Sequence, residues 1–278
     1  MAARDRRSGG DPVAVWGRAK VLALLMAGAL AGLLLLVGLG LALFYAVDPP
    51  ARAAESGSGS PARATTRPGD PGSARRAHRD TLAADPMPTA PADAAQPSVL
   101  SARDPGFILL PRATIVGPAG VPAGFAHTPA GALAQLAGID TTALDSASLG
   151  VARAVIDHWA AVGGPNGATW SGVRALADFL SAAGLSSGKA PGLALSATPL
   201  MGLVKASDGG DWVVVCVDFE VDATLARTAR VAVADCARMA WAGDRWVIGP
   251  GAEPAPAPSM WPGTQTAIDA GYKELRDD

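Results

Sequence analysis

The sequence has few residues of the kinds that carry metal, acyl-transfer or redox chemistry. Two cysteines and three histidines occur in 278 residues. The histidines, His78, His127 and His158, are too widely spaced for a zinc motif. No hydroxyl or thiol nucleophile stands beside a base in a recognised pattern. The sequence therefore predicts a protein that is not an enzyme, with no cofactor and no metal site.

Charge is also scarce, at 17% of residues, and its sign varies along the chain. Residues 1–20 carry a net +3, residues 48–105 a net of zero and residues 106–278 a net −5. Binding to a nucleic-acid backbone requires clustered lysine and arginine. Because residues 106–278 carry a net negative charge, we do not expect this part of the chain to bind nucleic acid.

One segment, residues 21–47, has no charged residue at all. About 20 helical residues cross a bilayer core of about 30 Å, so this segment predicts a transmembrane helix. Five basic residues precede it, which favours a cytoplasmic tail at residues 1–20 and an extracytoplasmic C-terminal domain. The expected location is the cell membrane, with one span. The alternative is a signal peptide cleaved after Ala53, although cleavable apolar regions usually have only about 7–15 residues.

Two glycines within this segment, Gly28 and Gly32, form a small-xxx-small pair. Such pairs let two membrane helices approach closely, so this one predicts a helix–helix contact and self-association. The alternative is that a segment rich in alanine and glycine contains such a pair by chance.

Residues 48–105 contain ten prolines and only four large apolar residues. A segment of this composition buries too little apolar surface to offset its chain entropy. We therefore expect a disordered linker over residues 48–105, followed by one folded domain over residues 106–278.

Midway through the folded domain, the spacing of hydrophobic residues changes from a helical period to the alternation of strands. Helical spacing predicts helices near residues 130–139, 145–162 and 170–183, with Thr128 and Pro129 at the start of the first helix. Alternation then predicts antiparallel strands at 212–222, 229–241 and 246–248, and a final helix at 266–275. This order predicts an α+β fold in which the helices pack on one face of a curved antiparallel sheet.

The two cysteines fall on the first long hairpin of this sheet. A turn centred near Ala226 sets Cys216 opposite Cys236, which predicts a disulfide outside the cytoplasm. Two partly buried thiols are the alternative. The same register places Arg230 opposite Asp222, so we expect an ion pair across the strands.

Two short segments carry a resemblance to known proteins. Residues 120–132, GVPAGFAHTPAGA, resemble a Gly-Phe/Tyr-x-His-Thr-Pro-x-Gly-Ala signature of actinobacterial membrane-anchored envelope proteins. The elements at 261–264 and 270–272 are similar to those near the ends of these proteins. The order of helices and strands is also similar to cystatin-like and nuclear-transport-factor-2-like domains, including those of conjugation and type IV secretion components. This resemblance implies a scaffold role with envelope protein partners.

Three functions follow as hypotheses. The first is a membrane-anchored, non-enzymatic interaction or scaffold protein of a cell-envelope assembly, related to conjugation or secretion. The second is an extracytoplasmic domain that binds a small-molecule or cell-wall ligand in a pocket between helices and sheet, lined by Trp159, Trp170 or Trp212. The third and weakest is a hydrolase whose site is assembled from residues distant in sequence.

Overall fold

The computed structural model describes residues 71–185 and 192–278. The predicted tail, the predicted membrane helix at 21–47 with Gly28 and Gly32, and linker residues 48–70 lie outside these ranges. Within the described residues, none of the helices is long and apolar enough to span a bilayer.

The described residues form helices on both sides of one large sheet. The helices are α1 (Pro71–Ala84), α2 (Pro129–Asp145), α3 (Leu149–Trp159), α4 (Ser171–Ala182) and α5 (Gln265–Asp269). The strands are β1 (Phe107–Leu110), β2 (Ile115–Val116), β3 (Pro122–Ala123), β4 (Ala194–Ser207), β5 (Trp212–Thr224), β6 (Thr228–Ala242), β7 (Arg245–Ile248) and β8 (Lys273–Asp277). The large sheet has the order β1-β8-β4-β5-β6-β7, and β2 pairs with β3 apart from it.

The large sheet is curled and mostly antiparallel. Strands β4 to β7 are joined by antiparallel pairs, whereas β1 pairs with β8 in parallel. These observations confirm an α+β fold with helices packed against an antiparallel-rich sheet. The helix expected at 266–275 is wrong beyond Asp269. Gly271, at φ +95°, turns the chain, and the following residues form β8.

The front face of the sheet carries α2, α3 and α4. Helix α2 begins where the sequence predicts, because Thr128 Oγ1 accepts a hydrogen bond from Gly131 N at 3.1 Å. Most of α2 is buried, and Leu133, Leu136 and Ile139 have no exposed surface. This helix is therefore the centre of the main core, between the sheet and the other two helices.

The back face of the sheet is covered as well, contrary to the expectation of one buried face. Every residue from Trp212 to Phe219 on β5 is buried. Residues 71–105, expected to be disordered, supply much of the cover. Ala83 of α1 packs against Trp212, and Met87 and Ala94 pack on the cluster that contains the two cysteines. The linker prediction therefore does not hold for residues 71–105, because this segment needs no core of its own once it lies on the sheet.

Polar contacts fix α1 and the residues after it to the back face. Arg79 Nε lies 2.6 Å from Asp208 Oδ2, and Lys205 Nζ donates to Ala83 O at 3.0 Å. The guanidinium of Arg238, buried on β6, binds the carboxylate of Asp80. Helix α1 is thus held by contacts to β4 and β6 and to the turn after β4.

The hairpin of β5 and β6 has the predicted register. Cys216 faces Cys236 and the two form a disulfide, and Asp222 faces Arg230. Arg230 Nε lies 2.7 Å from Glu220 Oε1 and 3.4 Å from Asp222 Oδ1. The preceding strand, β4, has no counterpart among the predicted strands. Bulges near Pro199 and Lys205 interrupt its alternation.

Candidate ligand-binding cavity

A cavity of about 90 Å³ opens between α2, α4 and strands β5 and β6. Its walls are mostly apolar and include Leu144 from α2, Trp170 and Leu176 from the start of α4, and Phe219 from β5. The polar exceptions include two carboxyl groups, those of Asp140 and Asp235, which enter from opposite layers. The remaining lining residues are Ala143, Ser171, Gly172, Ala175, Val233 and Ala234. Apolar walls with a few convergent polar groups are typical of small-molecule sites.

The structure does not bring the three predicted pocket tryptophans together. Trp170 lines the cavity, and its ring lies so close to Gly172 that a Cβ there would be 2.8 Å from it. Trp159 is buried in the front core and donates from Nε1 to Pro118 O at 3.0 Å. Trp212 lies on the back face beside Ala83. Only Trp170 of the three therefore belongs to this site.

Asp140 is the most deeply buried polar group of the cavity. It is 4% exposed, and its Oδ2 has no hydrogen-bond partner within the described part of the chain. Burial raises the pKa of Asp140 well above its usual value, and the negative charge of Asp235 adds to the rise. An unsatisfied carboxyl at this depth is costly, so it marks a place where another group is expected.

Asp235 is the second carboxyl of the cavity and is carried by β6. Its pKa is also raised, first by burial and then by the negative charge of Glu253, while the backbone amide of Cys236 acts in the opposite direction. Asp140 and Asp235 therefore form a pair of carboxyl groups in which each disfavours the ionisation of the other.

Glu253 has a separate structural task at the start of α4. Trp170 occupies the N-cap position and makes no side-chain capping bond. Instead, Glu253 Oε1 accepts hydrogen bonds from Ser171 N at 2.7 Å and Ser171 Oγ at 2.9 Å. A carboxylate at a helix N-terminus is stabilised by the orphan amides and by the helix dipole. Glu253 is therefore satisfied, whereas Asp140 Oδ2 is not. Thr169, the residue before Trp170, accepts a hydrogen bond from Asn166 N at 3.0 Å.

The cavity lining contains no histidine, cysteine or lysine. Its hydroxyl group, that of Ser171, donates to a carboxylate that caps a helix. In the described residues, no group of three or more histidine, cysteine, aspartate or glutamate side chains is arranged to hold a metal ion. The carboxyl groups of Asp140 and Asp235 can offer charge and hydrogen bonding to a bound ligand.

The signature at 120–132 has structural contacts that account for its residue types. His127 stacks on Trp241 at 4.1 Å between ring centroids, and its Nε2 lies 2.9 Å from Asp211 Oδ1. A Cβ at Gly131 would lie 1.9 Å from Ala126 O, so this position requires glycine. None of these residues lines the cavity.

A third buried acid, Asp218, lies on the back face of β5. It has no exposed surface, and neither carboxyl oxygen has a hydrogen-bond partner among the described residues. Burial raises the pKa of Asp218 to about 8, and the nearby backbone amide of Met260, which does not meet hydrogen-bond geometry, partly offsets this rise. The pKa of the neighbouring Tyr272 is raised too, by burial and then by the charge of Asp218.

The sequence patterns do not single out Asp140 or Asp235. The available signal was weak: Asp140 is an acidic residue within a mostly apolar helix, and Asp235 follows three small or apolar residues on a strand. Only the packing of α2 on β6 brings them to one cavity. No family model, characterised protein or solved structure matches this chain.

Proposed function

We propose that residues 106–278, together with the packed segment 71–105, form an extracytoplasmic, non-enzymatic domain that binds a small ligand in the cavity between α2, α4 and the sheet. The observation that carries this proposal is the buried, unpartnered Oδ2 of Asp140 in an otherwise apolar cavity. The volume of about 90 Å³ is well below the roughly 300 Å³ at which drug-sized pockets begin, which favours a small molecule.

The membrane attachment, the cellular location and the fold type of this domain are part of the same proposal. The uncharged segment at 21–47 supports a single membrane span, with the N-terminus cytoplasmic and the domain outside. The disulfide between Cys216 and Cys236 is consistent with an oxidising compartment. Helices packed against a curled, antiparallel-rich sheet support a cystatin-like or nuclear-transport-factor-2-like domain.

The test uses variants that close the cavity without changing the core. Ala175 lines the cavity and is exposed on α4, so Ala175→Trp should block it. Ala182 is exposed on the same helix and does not line the cavity, so Ala182→Trp is the matched control. The full chain in lipid nanodiscs is screened by thermal shift against small cationic, neutral and anionic molecules.

The proposal predicts a compound class that stabilises the wild type and Ala182→Trp but not Ala175→Trp. A screen in which no compound distinguishes the two tryptophan variants would refute binding in this cavity.

A second candidate function, the interaction or scaffold role in an envelope assembly, is favoured by a different observation. Four apolar side chains on β1 and β2 are about half exposed or more: Phe107 50%, Leu109 49%, Ile115 60% and Val116 76%. β1 is also an edge of the large sheet and offers its outer backbone groups to an added strand. Envelope protein partners are the expected occupants, and the Gly28–Gly32 pair supports self-association in the membrane.

Site-specific photo-crosslinking in intact membranes tests this role. A photoreactive residue at Val116 should give discrete adducts with another protein. The same residue at Val162, which is fully exposed on another part of the surface, should not. Equal, diffuse labelling from both positions would count against a docking role for β1 and β2.

A further inference from the structure

We infer that the cavity binds a small organic ammonium ion, with the positive group at Asp140 and Asp235 and the apolar part against Trp170 and its neighbours. This inference rests on the proposed function, because it names the ligand class of the same cavity. It follows from the charge balance around the two carboxyl groups, from the lining and from the available volume.

The carboxyl pair lacks a cation from the protein among the described residues. Arginines of neighbouring elements are each engaged by another acid: Arg174 by Glu253, Arg230 by Glu220 and Arg238 by Asp80. The nearby charge that acts on Asp235 is a further negative one, that of Glu253. Where the pair is ionised, a group entering this cavity therefore meets a negative field without a competing positive group, which attracts cations and disfavours anions.

The lining distinguishes an organic cation from a metal ion. Calcium and magnesium require about six or more oxygen ligands. The cavity offers two carboxyl groups among walls that are mostly apolar. An ammonium group has hydrogen-bond donors for both carboxylates, and an attached hydrocarbon chain gains from contact with Leu176 and Phe219. Trp170 adds an aromatic surface, on which cations bind favourably.

Binding should depend on pH in a defined direction. The pKa values of Asp140 and Asp235 are both raised, so the pair holds protons at low pH and loses negative charge there. The further charge that acts on the pair is that of Glu253, which forms an ion pair with Arg174. Affinity for an ammonium ion should therefore increase from pH 5 to pH 8, whereas affinity for a carboxylic acid would decrease.

The experiment compares three probes of similar size on the full chain in lipid nanodiscs: n-butylammonium, 1-butanol and butyrate. Binding is followed by saturation-transfer NMR and calorimetry. Butylammonium should bind about tenfold or more tightly than 1-butanol, and butyrate should not bind. Asp140→Asn and Asp235→Asn should each weaken butylammonium binding by about tenfold, because each removes a charge that the ligand faces. Ala175→Trp should abolish binding, and Ala182→Trp should leave it unchanged.

The possible failures are distinguishable. Equal binding of 1-butanol and butylammonium that Ala175→Trp abolishes would overturn the ammonium assignment and leave the cavity as a ligand site. Calcium binding that Asp140→Asn removes would overturn it in favour of a metal. Absence of binding by all three probes, with no other compound sensitive to Ala175→Trp, would overturn the proposed function as well. If Asp140→Asn does not fold, Asp235→Asn and Ala175→Trp still decide the question.

Discussion

Replacement of Asp218 by asparagine should change how the stability of the domain depends on pH. The carboxyl is fully buried without a hydrogen-bond partner among the described residues, and its pKa rises from 3.8 to about 8. Between these two values the folded state holds a proton that the unfolded state releases. The free energy of unfolding therefore falls as pH rises through this window, and the contribution levels off below pH 3.8 and above about pH 8.

The size of this pH effect on stability follows from the linkage between proton binding and unfolding. One such proton corresponds to about 1.4 kcal/mol per pH unit, so Asp218 should lower the free energy of unfolding by about 3 kcal/mol between pH 5 and pH 7. Asp218→Asn cannot release this proton. Asp140 and Asp235 contribute slopes of their own, but these remain in the variant and cancel in the comparison with the wild type.

The assay is urea unfolding of the oxidised full chain at pH 5, 6 and 7, followed by tryptophan fluorescence. The stability difference between Asp218→Asn and the wild type should move in favour of the variant by about 3 kcal/mol across this range. Asp178→Asn, at an exposed position on α4, is the matched control and should show no such trend. A difference that stays constant from pH 5 to pH 7 would refute the assignment of Asp218 as a buried, protonated acid.

Three further predictions concern packing and the N-terminal segment. Gly131→Ala should lower stability by about 1–3 kcal/mol in thermal unfolding, because its Cβ would lie 1.9 Å from a backbone oxygen. Gly150→Ala, where the Cβ has ample space, should stabilise by about 0.5–1 kcal/mol. Asp80→Ala should cost about 2 kcal/mol and accelerate hydrogen exchange across residues 71–84, since it leaves the buried Arg238 without its ion-pair partner. Unchanged exchange there would show that other contacts hold α1.

Local rules predicted the parts of the fold that depend on near neighbours. Thr128 and Pro129 start a helix because cap and ring chemistry act within one turn. The hairpin register that pairs Cys216 with Cys236 follows from the position of one turn. These features involve short separations along the chain, and sequence patterns report such separations well.

The errors have a common physical origin in contacts between distant segments. Alternation predicts a strand at 212–222 with one buried face, although the eight consecutive buried residues from Trp212 to Phe219 are typical of a strand covered on both sides. The missing cover was the segment at 71–105, which was predicted to be disordered for lack of a core. The two errors are linked. A covering segment at 71–105 would have implied a second buried face on β5, and a second buried face would have implied a covering segment.

The cavity could not be predicted from the sequence for the same reason. Its two carboxyl groups come from α2 and β6, which are far apart along the chain. No spacing rule connects them, and the tryptophans that were predicted to line a pocket belong to three different environments. The burial of Asp140 depends on how α2 packs on the large sheet, which is a property of the tertiary structure.

The parallel pairing of β1 with β8 has a consequence for the timing of folding. In the described sheet, β1 has β8 as its neighbour, so residues 107–110 have no strand partner until residues 273–277 have been synthesised. The hairpins of β4 to β7 can form earlier, since their partners are close in sequence. Closure of the sheet edge is therefore a late event, and β1 spends the interval as an unpaired apolar segment open to chaperones or to other chains.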